Sequence, residues 1–395
     1  MSKETADKVK REQVVPTTKR VTAEAALPPE VLETAFMQAV RQIEQAGLKF
    51  HAEIHHKNGL DRKLYHDLDH PTTLEKRARL TAKALELTPE QYGIVRMAIA
   101  FHDTVIAYEQ ATPGVVTATI KRKRGALPED APDGKGDEGN EARSAQLLEI
   151  EMRHASPPFT VEQIKIAMLA IHATYVVPEF NKDFTSYDRE GKLAEQNTEL
   201  AALINELKGQ HITTGSLFSQ VHLERTLEKR ASGQSEKVAR EVIITALVDL
   251  GAAGCAHPEE FFKEGDEEFW ELYGNLRNKN IMSRLQTGTE KNDVQDRKKV
   301  VMELTKWLDG QPGFAVFQAL RFEKIIYLLK QQNDITKKEE QALRDQFNQF
   351  THNIRTARDR AGRLKSEYNT QLARGEKEAF TFLIDSMHYT LEETT

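Results

Sequence analysis

The stretch TPEQYGIVRMAIAFHD, residues 88–103, decides how the chain is interpreted. Its opening Thr-Pro pair is typical of a helix N-cap followed by proline at the first helical position. The residues that follow are mostly apolar, which indicates a helix that enters a hydrophobic core. The run ends on His102 and Asp103, so an imidazole and a carboxylate stand together near apolar neighbours. Either group would be costly to bury without a partner.

Helical periodicity continues on both sides of this stretch, and signals for β-strands are nearly absent. One predicted helix begins with a Pro-Pro-Glu sequence and ends at Gly47, and another ends on glycine after a long apolar run. The predicted helices cover residues 27–47, 65–87, 89–108, 140–153, 160–175 and 235–254. The chain is therefore predicted to be mainly α.

Composition changes along the chain indicate how it is divided. Residues 1–27 are polar and without periodicity, which predicts a disordered tail. Residues 110–139 are rich in glycine, proline and charge and predict an inserted loop, and residues 176–235 predict a second insertion of loop and short helices. We expect a main helical domain over residues 28–285 that contains both insertions, followed by a C-terminal helical region over residues 286–395.

The C-terminal region contains a seam of apolar residues. Residues 335–373 contain no proline, and apolar side chains recur there in steps of four and three. The seam residues are Leu343, Phe347, Phe350, Ile354, Ala357, Ala361, Leu364 and Tyr368. The pattern fits either helices packed on the chain's own core or a homodimer formed through these helices. Residues 376–391 predict a final amphipathic helix.

Composition also limits the function. Hydrophobic residues make up 39% of the 395 residues and the net charge is −6, which gives no reason to expect a dedicated nucleic-acid or membrane-surface protein. The single cysteine, Cys255, excludes an intrachain disulfide and a zinc site built on several thiolates. No apolar run reaches the roughly 18 residues of a membrane span, and the first residues lack the apolar core of a secretory signal. We expect a cytoplasmic protein that does not enter the membrane.

Four residues on predicted helices could ligate a metal. His66 and His70 are four residues apart, so on one helix they would share a face. Asp249 lies in the almost wholly apolar run VIITALVDLGAAG and needs a cation or strong donors. Singly, each residue has an ordinary structural explanation. As a set, two imidazoles and two carboxylates suit one divalent transition metal with open or water-filled positions. The candidate ligands are His70, His102, Asp103 and Asp249.

The order His, His-Asp, Asp resembles the HD superfamily of metal-dependent phosphohydrolases. Four segments carry the resemblance, in particular to the branch of predicted HD-superfamily hydrolases related to cyclic-nucleotide phosphodiesterases. They are RKLYHDLDH (62–70), AIAFHDTV (98–105), NEARSA (140–145) and ALVDLGAAG (246–254). The resemblance spans residues 62–254, with the two insertions, and implies an HD-domain helical bundle.

The resemblance also implies roles for these residues. It makes the four candidates the ligands of one divalent ion, whether Mn, Fe, Zn, Ni or Mg. His66 would protonate the leaving group, and Glu141 would hold a water at the metal. Asp103 or Asp249 could also orient the attacking water, and a carboxylate such as Asp69 could keep His66 protonated. The expected reaction is hydrolysis of a phosphate ester, in a nucleotide or another small phosphorylated compound.

Two features concern the substrate and the number of metals. Arg62, in the first motif, and Lys121 and Arg122, in the 110–139 insertion, could attract phosphate, although a solvated loop also explains the last two. Members of this branch often carry a further histidine after an Ile-x-x-Thr segment. Here His172 precedes the threonine, so we expect one metal rather than two.

Two alternatives to this function stay open. DHPTTL and FHDTV resemble segments of guanosine tetraphosphate hydrolases, but the acidic Glu-Asp pair that follows in that family is replaced here by IAYEQ. The other alternative is a non-catalytic HD scaffold that binds metal or nucleotide and acts through its C-terminal helices. The intact ligand set argues against such a scaffold.

Overall fold

Helices make up nearly all the regular structure that the computed structural model describes. The described residues are 34–55, 64–105, 108–110, 120–122, 140–174, 177–179, 198–208, 217–219, 221–231, 233 and 237–388. Within them, strands occur only as two antiparallel pairs of three residues each. The prediction of a mainly α fold is confirmed.

The first part of the described chain contains nine helices and the four strands. The helices are α1 Ala35–His55, α2 Asp69–Ala84, α3 Pro89–Phe101, α4 Asn140–His154, α5 Val161–His172, α6 Thr198–Lys208, α7 Val221–Ala231, α8 Arg240–Asp249 and α9 Ala252–Cys255. The strands are β1 Tyr108–Gln110, β2 Ile120–Arg122, β3 Val177–Glu179 and β4 Leu217–Ser219. β1 pairs with β2, and β3 pairs with β4.

The second part is helical throughout the described residues. Its elements are α10 Pro258–Leu272, a 3-10 turn Gly274–Arg277, α11 Lys279–Thr287, α12 Lys291–Gln331, α13 Lys337–Gln346, α14 Phe350–Leu372 and α15 Glu376–Asp385. The long helix α12 contains Pro312 in its interior, where the proline is buried. No helix in the described part of the chain is both long enough and apolar enough to cross a membrane.

Capping explains where α3, which leads to His102 and Asp103, and α5 begin. The Thr88 side chain accepts a hydrogen bond from the backbone N–H of Gln91, whose own side chain accepts from the Thr88 backbone. Thr160 and Gln163 form the same capping box at the start of α5. Each box satisfies backbone N–H groups that have no partner within the helix. The start of α3 is therefore where the Thr-Pro pair predicts it.

The predicted end of the first helix at Gly47 is wrong, because α1 continues to His55. A Cβ atom at Gly47 would lie 2.6 Å from ring carbons of Phe101 and 2.8 Å from the carbonyl oxygen of Ala100. The missing side chain lets α1 pack closely against the end of α3. Gly47 is therefore a packing position and not a helix stop.

Helices α2 and α3 are both shorter than predicted, and the differences place the candidate residues. The predicted helix over residues 65–87 begins only at Asp69, and that over 89–108 ends at Phe101. His102 is the C-cap of α3. In the turn that follows, the Thr104 hydroxyl donates to the Phe101 carbonyl at 2.9 Å. The His-Asp pair thus lies just beyond a helix end, where side chains can converge with those of other elements.

The C-terminal seam packs within the chain. Six of its side chains are buried: Leu343, Phe347, Ile354, Ala357, Ala361 and Leu364. Phe350 and Tyr368 are half-buried. The predicted segment forms two helices, α13 and α14, and α14 packs extensively against α12. This agrees with the interpretation in which the seam covers the chain's own core, and a homodimer through the C-terminal helices stays a prediction.

The hydrophobic core joins the two parts of the chain. Residues from Ala35 onward form one compact unit. One cluster of buried residues includes side chains of α1 to α5 and α8 together with Phe322, Ile325 and Ile326 of α12. A second cluster combines Phe269 and Trp270 of α10 with residues of α11, α12, α14 and α15. The predicted division at residue 285 is not tested by these contacts and stays a prediction, as does the tail over residues 1–27, which lies outside the described residues.

Candidate metal centre

The four candidate ligands meet at one buried point. His70 is the second residue of α2, His102 and Asp103 follow the last residue of α3, and Asp249 is the last residue of α8. One donor atom from each lies within 4.8 Å of the others, and all four residues are buried. Three helix ends thus bring together residues that are up to 179 positions apart.

The distances within this group suit a single metal ion. The Nε2 atom of His102 lies 2.9 Å from Asp103 Oδ2 and 3.5 Å from Asp249 Oδ1. The Nε2 atom of His70 lies 3.6 Å from Asp103 Oδ2, 4.0 Å from Asp249 Oδ1 and 3.3 Å from His102 Nε2. Ligands about 2.1 Å from one ion are themselves about 3 to 4 Å apart. The group could therefore hold a divalent ion.

The His102 ring is oriented by the helix that precedes it. Its Nδ1 lies 2.7 Å from the carbonyl oxygen of Ile99. A carbonyl can only accept, so Nδ1–H donates and Nε2 is left facing the centre. Such a hydrogen bond from the second ring nitrogen is the usual way in which a metal-ligating histidine is oriented.

The electrostatics of the group also favour a cation. Burial and the neighbouring His102 hold the pKa of His70 well below its usual range. Burial also acts to lower the pKa of His102, but the carboxylates of Asp103 and Asp249 outweigh it and raise that pKa well above its usual range. The two buried carboxylates thus strongly favour a proton on the ring of His102. A divalent ion at the same place would neutralise the charge of both carboxylates.

The NEARSA segment, residues 140–145, contacts the turn that carries two of the candidate ligands. The Ser144 hydroxyl oxygen accepts from the backbone N–H of Val105 at 3.1 Å and from the Thr104 hydroxyl at 3.3 Å. Glu141 lies almost one helical turn earlier on the same face of α4 and is buried. Its predicted role in holding a water at the metal stays a prediction.

His66 reaches the centre from a turn and not from a helix. Residues 64–68 precede α2, so His66 and His70 are not on one helical face as the sequence predicts. His66 Nε2 nevertheless lies 3.8 Å from Asp103 Oδ2, and its ring centroid is 5.8 Å from that of His70. The two rings therefore face the same centre through a different local structure.

A carboxylate contacts His66, but it is not the one that the sequence suggests. Asp69 is exposed, whereas Glu271, near the end of α10, is buried and its Oε1 lies 2.7 Å from His66 Nδ1. Residues 66 and 271 are far apart in the sequence, so no local spacing predicts their contact. The available signal is that Glu271 directly follows Phe269 and Trp270 at the end of an amphipathic helix.

The sequence analysis does not predict two buried histidines next to the candidate metal centre. His51 and His55 lie one turn apart at the end of α1, both are buried, and their ring centroids are 4.7 Å apart. His55 Nε2 donates to the backbone carbonyl of Asp103 at 2.7 Å and so helps to fix the position of Asp103. The spacing of four in HAEIH, residues 51–55, is a signal that could have identified them.

Other predicted site residues lie outside this centre or outside the described residues. Arg62 and most of the 110–139 insertion lie outside the described residues. Lys121 and Arg122 are in β2, where the backbone pairs with β1 and the side chains are not described. His172 is the last residue of α5 and does not belong to the described ligand group. Substrate binding by the three basic residues stays a prediction.

Comparison with known proteins adds nothing to these residues: no family model, no curated protein and no solved structure matches the chain. The fold and site define a mainly helical protein with a buried group of two histidines and two aspartates that could hold a metal ion.

Proposed function

We propose that the protein is a metal-dependent phosphohydrolase that cleaves a phosphate ester, in a nucleotide or another small phosphorylated compound. The observation that carries the proposal is the convergence of His70, His102, Asp103 and Asp249 within 4.8 Å. The set combines the ligand types and spacing that suit a divalent transition metal. The HD-type motif order in which these residues occur supports the choice of phosphate esters.

The ligands and His66 have separate tasks in this proposal. Asp103 and Asp249 supply negative charge, and His70 and His102 supply neutral nitrogen ligands. A bound divalent ion would activate a water molecule and polarise a phosphoryl oxygen. His66 Nε2, at 3.8 Å from Asp103 Oδ2, borders the same space and is placed to give a proton to the leaving oxygen.

The ligand set is tested by metal content. Protein purified without chelator is analysed for metals alongside Asp249→Ala, and we expect about one equivalent of a divalent metal in the wild type and loss of that metal in the variant. Asp385→Ala is a matched control, because Asp385 also ends a helix but is exposed. A wild-type protein without metal, even after reconstitution with Mn, Fe, Zn, Ni and Mg, would contradict the proposal.

Catalysis is tested with the metal-loaded protein on a panel of phosphate compounds. The panel contains cyclic and linear nucleotides, guanosine tetraphosphate and bis(p-nitrophenyl) phosphate. We expect turnover that is lost in both Asp249→Ala and His102→Ala while circular dichroism shows that both variants stay folded. Turnover confined to guanosine tetraphosphate would select that alternative, and stoichiometric metal without any turnover would favour the non-catalytic scaffold.

A further inference from the structure

The Tyr65–His66 turn is held by one carboxylate from a distant helix. Glu271 Oε2 accepts from the backbone N–H of Tyr65 and from that of His66, each at 3.1 Å. Glu271 Oε1 lies 2.7 Å from the ring Nδ1 of His66. Because the turn lies outside α2, these N–H groups have no helical partner, and the carboxylate satisfies them. A single side chain thus fixes both the backbone and the ring of residue 66.

The helix that supplies Glu271 is itself firmly placed. Trp270, the preceding residue, is fully buried and donates its indole N–H to the backbone carbonyl of Met387 at 2.7 Å. Phe269 is also buried and stacks on Tyr273 with ring centroids 4.5 Å apart. The position of Glu271 is therefore set by core packing on α10, beyond the last HD-type motif at residue 254.

The geometry assigns the tautomer of His66. Two backbone N–H donors on Oε2 favour the ionised form of Glu271, and an ionised carboxylate can only accept. Nδ1 of His66 must then carry the hydrogen in this contact. The other ring nitrogen, Nε2, faces Asp103 Oδ2 at 3.8 Å and thus borders the metal centre.

We propose that Glu271 is a positioning residue that fixes the tautomer and orientation of His66 so that Nε2 faces the metal centre. In its catalytic part, the proposal rests on the phosphohydrolase function proposed above. The tautomer itself does not depend on any substrate. Its measurement therefore separates a failure of this proposal from a failure of the proposed function.

The variant Glu271→Gln tests this assignment, because a glutamine amide has an acceptor oxygen and a donor NH₂ group. Its oxygen would be needed by the two backbone N–H groups of residues 65 and 66. Its NH₂ group would then face Nδ1, which must accept and lose its hydrogen. Glu271→Gln should therefore move the neutral ring of His66 to the Nε2–H tautomer, with little change in shape.

The tautomer is measured by nitrogen NMR of the full chain labelled with ¹⁵N-histidine, at a pH above the midpoint of the His66 titration that the same spectra record. The His66 signals are assigned by their loss in His66→Gln, and spectra are recorded for metal-free and zinc-loaded protein. We expect Nδ1–H in the wild type and Nε2–H in Glu271→Gln. Glu259→Gln, an exposed change on the same helix, should keep the wild-type pattern.

Either of two results would overturn the proposal. One is a wild-type His66 that carries its hydrogen on Nε2, which can be observed even if the variant does not fold. The other is a folded Glu271→Gln protein, with wild-type zinc stoichiometry, whose His66 keeps Nδ1–H.

The catalytic part is measured separately, with bis(p-nitrophenyl) phosphate and metal-loaded enzyme. To give a proton from Nε2, the ring of His66 must first carry hydrogen on both nitrogens, and the NH₂ group of a glutamine facing Nδ1 opposes that doubly protonated form. Loss of such a proton donor typically reduces turnover by about 10² to 10⁴-fold. We expect Glu271→Gln to reduce kcat by about 10²-fold or more with little change in KM or metal content, and Glu259→Gln to leave both constants unchanged. Unchanged kcat in Glu271→Gln, with an altered tautomer, would overturn the catalytic part alone.

Discussion

At the scale of single residues, His51 is a buried imidazole whose ring nitrogens have no hydrogen-bond partner among the described residues. Burial, together with the nearby His55, lowers the pKa of His51 to about 3. Burial is also the main cause that lowers the pKa of His55 to about 4, against the opposing effect of its hydrogen bond to the Asp103 carbonyl. Both rings are therefore neutral in the folded protein at neutral pH.

His51 gives a pH prediction for stability. Between its unfolded pKa of 6.5 and its folded pKa of about 3, the unfolded chain binds a proton that the folded chain does not. Stability is therefore lost as pH falls below 6.5, by up to about 1.4 kcal/mol per pH unit from this group. His51→Phe removes the group, so the variant should gain stability relative to the wild type as pH is lowered from 7 to 5.

The measurement is urea denaturation of both proteins at several pH values. His154→Phe serves as the control because His154 is exposed, and its stability difference from the wild type should vary little with pH. If the wild type and His51→Phe lose stability in parallel, the ring of His51 is not buried in its neutral form.

Residue by residue, the sequence predicts part of the site. The four candidate ligands are predicted from the order in which they occur along the chain, and Asp249 is also conspicuous as a carboxylate in an apolar run. Glu271 and His55 are not predictable in this way. Their contacts with His66 and Asp103 join positions 205 and 48 residues apart, and they depend on how helices pack.

At the scale of elements, periodicity and capping predict the helices better than their ends. Thr88 predicts the start of α3 because its capping box is local. The start of α2 is displaced because the Asp67 side chain accepts from the Asp69 backbone N–H at 2.8 Å and shapes a turn there. The predicted end of α1 at Gly47 is wrong because Gly47 packs against the end of α3. Local sequence signals thus predict a helix end correctly unless a side-chain turn or packing against another helix determines that end.

Gly254 and Gly362 differ in how closely other atoms approach them, so the same substitution should have opposite effects on stability at the two positions. A Cβ atom at Gly254 would lie 2.5 Å from Phe350 Cζ and 2.8 Å from Phe347 Cδ1, whereas one at Gly362, within α14, would meet nothing within 4 Å. Gly254→Ala should therefore lower the free energy of unfolding by about 1 to 3 kcal/mol through overpacking. Gly362→Ala should raise it by about 0.5 to 1 kcal/mol.

Urea denaturation of the two variants measures both effects with the same chemical change. Opposite signs are expected for the two alanines. An equal or greater loss of stability at Gly362 would mean that α9 and α14 do not pack as described.

At the scale of the whole molecule, a buried ion pair joins α10 and α14. Arg360 donates to both carboxylate oxygens of Asp266, at 3.0 and 2.6 Å, and both residues are buried. His388 Nδ1 also contacts Asp266, at 2.7 Å. Because α10 carries Glu271 as well, this pair belongs to the framework that places the Glu271 carboxylate.

Removal of one partner should be more damaging than removal of both. Arg360→Met leaves Asp266 buried without its cation and should cost about 3 to 5 kcal/mol of unfolding free energy. The double variant Asp266→Leu with Arg360→Met leaves no unpaired charge and should lose less. Thermal and urea denaturation of Arg360→Met, Asp266→Leu and the double variant measure these losses of stability. A double variant as unstable as the sum of the two single variants would show that the charges do not interact.

The contact between Trp270 and the backbone of Met387 has a consequence for a chain still being made. Protein synthesis proceeds from the N-terminus, so Asp249, the last of the four candidate ligands, leaves the ribosome well before Met387. The helix that carries Glu271 gains its anchor only after that later segment has emerged. A nascent chain can thus contain all four candidate ligands while the carboxylate that contacts His66 still lacks its final support.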